Sequence, residues 1–158
     1  MIPPKTFYSW GMFLDDMYHR ALPLLEPHAR EFTGVIGLPR GGLMMAVIIS
    51  HQLEIPLFLW GQSDPTLKNL IGGSTRGAEY EHHMTKYVSS WPLDPKILVA
   101  DDIADTGKRL APYADVGHSI ITLFYHRKSI VTPRWWFNEK TAEGGFIVFP
   151  YEKEQPLR

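Results

Sequence analysis

Cysteine is absent from the chain, which excludes a disulfide framework, a thiolate nucleophile and any cysteine-ligated zinc or iron–sulfur site. That suits a reducing compartment. Neither sign of charge dominates: 16 Lys and Arg face 17 Asp and Glu, a formal net charge of −1. The balance offers no broad basic footprint for nucleic acid and leaves room only for a local basic site. Long hydrophobic runs are missing too. The most apolar stretch, Leu43 to Ser50, falls far short of the roughly 20 residues of a membrane span. The N-terminal MIPPKTFYSW has neither the basic start nor the apolar stretch of a signal peptide. There is no internal repeat and no low-complexity tract. The expectation is a soluble, cytoplasmic protein with no membrane and no nucleic-acid partner.

What is present is globular in composition. The 158 residues are 44% hydrophobic and 21% charged, the length of one domain, so residues 1–158 are read as a single unit. Ser9 reads as an N-cap, followed by Met12, Phe13, Met17, Ala21 and Leu24 at helical spacing, with Pro23 and Pro27 expected to end the helix. Val35–Leu38 reads as a buried strand, and Gly41-Gly42 opens a helix through about Leu53. Pro56–Trp60, Lys96–Ala100 and Ser119–Tyr125 read as further strands, with a short helix after Thr106. Arg134–Phe137 and Phe146–Phe149 are aromatic-rich strand candidates. Repeated strand–helix–strand units predict an α/β protein with a parallel sheet. From Gly61 to Tyr87 periodicity dissolves into a Gly-, Ser-, Thr- and Asn-rich stretch, expected to be a mobile loop.

Two segments carry chemistry. In Ile97-Leu98-Val99-Ala100-Asp101-Asp102-Ile103-Ala104-Asp105-Thr106-Gly107 an apolar strand delivers adjacent carboxylates, then a third acid, then Thr-Gly at a helix start. Ligands of open α/β sheets bind beyond the carboxyl ends of strands, and backbone amides at a helix start suit phosphate. Adjacent acids suit ribose hydroxyls or a hydrated Mg²⁺. A lone Asp-Asp would read as a helix cap; the full string reads as a ligand site. The second segment is Gly34-Val35-Ile36-Gly37-Leu38-Pro39-Arg40-Gly41-Gly42, a strand ending in a glycine-rich turn. There the backbone can approach a ligand closely, and Arg40 offers a charged fork for phosphate.

Together these segments resemble the type I phosphoribosyltransferases, most closely the short xanthine–guanine (hypoxanthine)-type purine enzymes. Asp101-Asp102, two residues, then Asp105-Thr106-Gly107 is similar to the family's phosphoribosyl pyrophosphate signature, and Pro39-Arg40-Gly41-Gly42 to its pyrophosphate loop. Tyr8-Ser9-Trp10 resembles the family's N-terminus and Phe146–Glu152 its C-terminal aromatic–Ile–x–x–Pro–aromatic–acid ending. The resemblance implies a parallel sheet flanked by helices with a small C-terminal hood, drawn mainly from 126–158 with an N-terminal contribution. It implies transfer of 5-phosphoribose from Mg²⁺-bound phosphoribosyl pyrophosphate to a purine-type nucleobase, with release of pyrophosphate, by a homo-oligomer (dimer or tetramer).

By the same resemblance, Asp101 and Asp102 would hold ribose hydroxyls and the metal, and Asp105 would manage the proton of the base. Ala104, Thr106, Gly107, Lys108 and Arg109 would surround the 5-phosphate, while Pro39, Arg40, Gly41 and Gly42 take pyrophosphate. Phe146 would stack on the base, the Ile147 backbone would read its edge, and Glu152 would complete the substrate site. The chain departs from the family's pattern at Ala104 (usually a larger aliphatic), Arg109 (usually Thr) and His126, which stands where the family carries a Lys for the 6-oxo group; Arg127 or Lys128 could take that part. The family's loop Ser-Tyr pair is not evident in Gly61–Tyr87. A non-catalytic nucleotide-binding regulator on the same scaffold, or a phosphoribosyltransferase for a non-purine acceptor, is the alternative reading.

Other residues read more plainly. His82-His83 diverge on regular structure and read as structural or exposed. Trp135-Trp136 read as one ring in the core and one at a surface or interface, and Met44-Met45 as core filling. Lys68, Arg76 and Lys86 could close over pyrophosphate or be solvated.

Overall fold

The computed structural model describes residues 4–60, 85–88, 94–141 and 145–152. Six strands form one parallel sheet: β2 (Gly34–Gly37), β3 (Leu57–Trp60), β4 (Thr85–Val88), β5 (Ile97–Ala104), β6 (Ile120–His126) and β7 (Trp135–Lys140), in the order β4-β3-β2-β5-β6-β7. A separate two-stranded parallel ribbon pairs β1 (Lys5–Phe7) with β8 (Phe146–Val148). The ribbon joins the chain's two ends, and β1 is a strand that the sequence pattern does not mark.

Parallel strands buried on both faces alternate which layer each side chain enters. Val35, Leu98 and Ile121 join Phe13, Met17, Met45 and Ile49 in one core layer. Their neighbours Ile36, Val99 and Ile120 join Leu110 in the other. The first layer is covered by the N-terminal helical segment and by α3 (Gly41–Leu53), the second by α4 (Ala111–Val116). Among the described residues no helix is long and apolar enough to cross a membrane.

The N-terminal segment corrects the expectation at Pro23. Ser9 caps α1 (Trp10–Asp15) by accepting from the Met12 amide at 3.2 Å. The chain then widens to a π-helical stretch, Asp16–Ala21, and continues through Pro23 as α2 (Leu22–Leu25). The buried residues Phe13, Met17, Ala21 and Leu25 are spaced by four, wider than the 3.6 of an α-helix. The wider π turn keeps them on one face, and the same widening loosens the ladder where Pro23 offers no N–H. Met12 and Leu24, expected on the buried face, are exposed. Buried Asp16 ties this segment to β7, accepting from the Tyr8 hydroxyl at 2.6 Å, Asn138 Nδ2 at 2.6 Å and Arg20 at 2.7 Å.

Three other expectations change. The Gly61–Tyr87 stretch ends in β4, while 61–84, with His82-His83, Lys68 and Arg76, lies outside the described residues. The Asp101–Ala104 stretch belongs to β5 rather than following it, because the ladder to β6 continues to Ala104↔Tyr125. The helix after Thr106 begins only at Ala111, which puts Pro112 in its first turn, where its missing donor costs nothing. Trp135 is buried and Trp136 exposed, but of the methionine pair only Met45 is core; Met44 faces outward.

Candidate active site

The strand order reverses direction between β2 and β5, since α3 carries the chain from β2 to β3 on one side while β6 and β7 follow β5 on the other. Such a switch point opens a crevice beyond the strands' carboxyl ends. Here the β2–β5 ladder stops at Gly37↔Ala100 while β5 runs on to Ala104, so Asp102 stands beside the turn that starts α3. A Cβ on Gly37 would collide with the Gly42 carbonyl, and one on Gly42 with the Ala100 carbonyl. Those glycines therefore let α3 start tight against β5. The peptide between Pro39 and Arg40 is cis.

A cavity of about 250 Å³ fills the crevice. Its walls gather Pro39, Arg40 and Gly41 from the turn, Asp102 and Asp105 from β5 and its end, and Arg109. Lys140 comes from the end of β7, and Phe146, Ile147, Tyr151 and Glu152 from β8 and the turn after it.

Asp105 is held by a lysine and a histidine. Lys140 Nζ donates to Oδ2 at 2.8 Å, and His126 Nδ1 lies 2.9 Å from Oδ1. His126 and Lys140 are register partners across β6 and β7, which is why both reach the same carboxylate. Partial burial alone would raise the Asp105 pKa, but the Lys140 and His126 contacts outweigh it and hold the carboxyl below its ordinary range.

Asp101 and Asp102 part company, as neighbours on a strand must. Asp101 is 2% exposed and forms no part of the cavity wall. Burial first, and then the charge of Asp102, push its pKa up to about 7. Its Oδ1 accepts from the Asp102 amide at 3.0 Å and its Oδ2 lies 4.0 Å from Arg109 Nε. Asp102 faces the cavity, where its Oδ2 accepts from the Tyr151 hydroxyl at 2.7 Å. Burial and then Asp102 push the Tyr151 phenol upward, so it stays a donor.

The turn after Asp105 is built without a helix start. Gly107 adopts φ +76°, and a Cβ there would meet Ser129 Oγ, so glycine is required on both counts. Leu110 and Ala111 donate their amides to the Gly107 carbonyl, and the Lys108 amide meets Thr106 Oγ1 at 3.4 Å. Thr106 and Lys108 are exposed, and Ala104, Thr106, Gly107 and Lys108 stand outside the cavity wall. Arg109 turns the other way, toward Asp101 and the Pro39 carbonyl. Lys128 is exposed and also outside the wall.

At the hood, Phe146 is 54% exposed and flanks the cavity. The Phe146 amide donates to Pro4 and the Val148 carbonyl accepts from Tyr8, so the alternation of the strand turns the Ile147 amide and carbonyl toward the ribbon's other edge. Glu152 folds back: its carboxylate accepts from the Phe149 amide at 3.0 Å and its amide donates to the Phe149 carbonyl at 2.9 Å.

A purine phosphoribosyltransferase of Pyrococcus horikoshii superposes on this chain with a TM-score of 0.61, at 23% identity over 98% of both chains. The xanthine–guanine–hypoxanthine phosphoribosyltransferase of Helicobacter pylori does so at 0.62, with 14% identity over 93% of this chain and 91% of its own. The chain has the phosphoribosyltransferase fold. A hypothetical protein of Neisseria gonorrhoeae with bound ppGpp is similar at 0.51, with 20% identity over 97% of this chain and 92% of its own. No protein-family model and no curated protein matches the sequence.

Two residues of this phosphoribosyltransferase-fold cavity escape sequence reading. Lys140 lies beyond the Arg134–Phe137 strand candidate; extending that strand's alternation three residues would have reached it. Tyr151 reads as a mere aromatic of the C-terminal ending, and only folding brings its hydroxyl to Asp102.

Proposed function

We propose that the protein is a phosphoribosyltransferase that moves 5-phosphoribose from phosphoribosyl pyrophosphate to a ring nitrogen of a purine-type base. The bond from the base nitrogen to the anomeric carbon forms as the bond from that carbon to pyrophosphate breaks. The nitrogen's proton passes to the site. The observation that carries the reading is the cavity itself, which joins a glycine-rich turn with Arg40, a strand-end Asp102, Asp105 and an aromatic hood edge. Strands lie about 4.8 Å apart, so from β2 to β7 the site spans roughly 14 Å, enough for a diphosphate, a sugar and a base in line.

In this reading Arg40 and the Gly41 amide bind the leaving pyrophosphate. Asp102 holds ribose hydroxyls. Asp105 orients the base and takes its proton, while Phe146 stacks on the ring and the Ile147 backbone reads its edge. Lys140 supplies the cation expected at position 126, one strand over, and His126 braces Asp105. The described residues form no cage of His, Asp and Glu for a metal ion. A single cavity carboxylate nonetheless fits Mg²⁺, which keeps several waters and binds through one or two carboxylates plus substrate phosphates. Asp102 would hold it; Asp101, buried and with its pKa raised, fits poorly. When bound, the ion would neutralise charge on the departing pyrophosphate.

A second reading rests on Asp105. With both oxygens engaged and its pKa lowered, it is a weak proton acceptor, which favours a protein that binds a nucleotide without turnover. The ppGpp carried by the N. gonorrhoeae protein of this fold points the same way. A panel of nucleobases incubated with phosphoribosyl pyrophosphate and Mg²⁺, read by nucleotide and pyrophosphate formation, tests the first reading. Calorimetry with guanosine tetraphosphate on the same preparation tests the second. Binding of the tetraphosphate with no product from any base would replace the first reading by the second.

A further inference from the structure

The base end and the sugar end of the cavity are joined by one side chain. From β8 the chain turns at 149–152, a turn fixed by the paired Phe149–Glu152 hydrogen bonds. Within that turn the Tyr151 ring lies parallel to Phe149, with centroids 5.5 Å apart and planes 4° apart, and meets the edge of Trp10 at 6.3 Å. The ring is thus locked by packing and its hydroxyl is aimed at Asp102 Oδ2. Gly41 closes the same point from α3: a Cβ there would collide with both the Asp102 carboxylate and the Tyr151 hydroxyl. A carboxylate on a free strand end has several rotamers, and one half-buried donor at 2.7 Å selects among them.

We propose that Tyr151 is a positioning residue that acts through Asp102, fixing its carboxylate for the sugar diphosphate and tying that geometry to the hood strand that receives the base. This deepens the phosphoribosyltransferase reading and rests on it. Oδ2 of Asp102 is engaged by Tyr151, so loss of the hydroxyl should loosen donor binding by freeing the carboxylate to turn between rotamers. Tyr151→Phe keeps the ring, its stack on Phe149 and its edge contact with Trp10, and removes only the hydroxyl.

The test is a double-mutant cycle of Tyr151→Phe and Asp102→Ala, read by calorimetry with Mg²⁺ and phosphoribosyl pyrophosphate and by the denaturation midpoint without ligand. Tyr151→Phe should weaken donor binding roughly tenfold, the scale of a lost charge-assisted hydrogen bond. In the Asp102→Ala background, which leaves no acceptor for the hydroxyl, it should weaken it no further, and the two ligand-free midpoint shifts should be less than additive. Parent-like donor affinity in Tyr151→Phe, or additive losses in the double variant, would overturn the proposal. If the parent binds no phosphoribosyl pyrophosphate, the functional reading falls by itself, and the ligand-free cycle still decides: additive midpoint shifts would show that Tyr151 does not act on Asp102.

Discussion

Lys140 and Asp105 meet at 2.8 Å across the ends of β7 and β5, which are separated in the sheet by β6. The contact places a cation at the end of the cavity proposed to receive the base, where the sequence reading offers His126, or Arg127 or Lys128 in its stead. It also sets the charge of the group proposed to handle the base's proton.

Lys140→Met should therefore act in two ways. Discrimination between 6-oxo and 6-amino purines should fall by roughly tenfold, measured as the ratio of turnover with hypoxanthine to that with adenine. The Asp105 carboxyl should also titrate higher. In the parent its folded pKa is depressed, so its contribution to stability is present above the ordinary value of 3.8 and lost as pH falls through the folded value. The stability difference between parent and variant should be present at neutral pH and shrink in acid. A difference that grows on acidification would contradict the pairing.

Asp105→Asn should leave donor binding close to the parent's and slow transfer on the order of 100-fold, the usual worth of a positioned base. Single-turnover kinetics beside donor calorimetry separates the two. Unchanged turnover would show that the proton leaves by another route.

Gly41→Ala introduces a methyl group against the Asp102 carboxylate and the Tyr151 hydroxyl. Relieving those contacts requires Asp102 to move by roughly an ångström, which should cut transfer on the order of 100-fold. Parent-like turnover would show that Asp102 has room to spare.

Asp101→Asn tests the buried acid. Its folded pKa of about 7 stands above its ordinary 3.8, so the folded state holds the proton longer than the unfolded one. Ionisation then costs the parent stability as pH rises from about 4 to about 7, a loss complete above that window. Asparagine can still accept from the Asp102 amide but carries no charge. The variant should match the parent near pH 4 and melt higher at pH 8. Equal melting temperatures at pH 8 would mean that Asp101 is ionised there at no cost.

Much of this molecule is legible in its chain. The apolar runs before Pro39 and Asp101 read as buried strands, because each is too short for a helix and is closed by proline or an acid. The glycine-rich turn and the paired acids follow from local chemistry, and both lie where strands of an open sheet end. Local pattern, however, carries no information about which strands are neighbours. Strand order and register together decide that Asp102 faces the cavity beside Gly41 while Asp101 is buried beneath it, since one residue's shift on a strand reverses the face. The same holds for Lys140, 35 residues from Asp105 in the chain, and for Tyr151, 49 residues from Asp102. The π-helical turn that carries the N-terminal segment past Pro23 is likewise a response to packing, because a spacing of four gains burial only when a sheet lies beneath it. Sequence determines the strands, the turns and the chemistry each can offer. Tertiary structure decides which of those groups touch, because hydrogen bonds and ion pairs act over a few ångströms and only the folded chain brings distant residues that close.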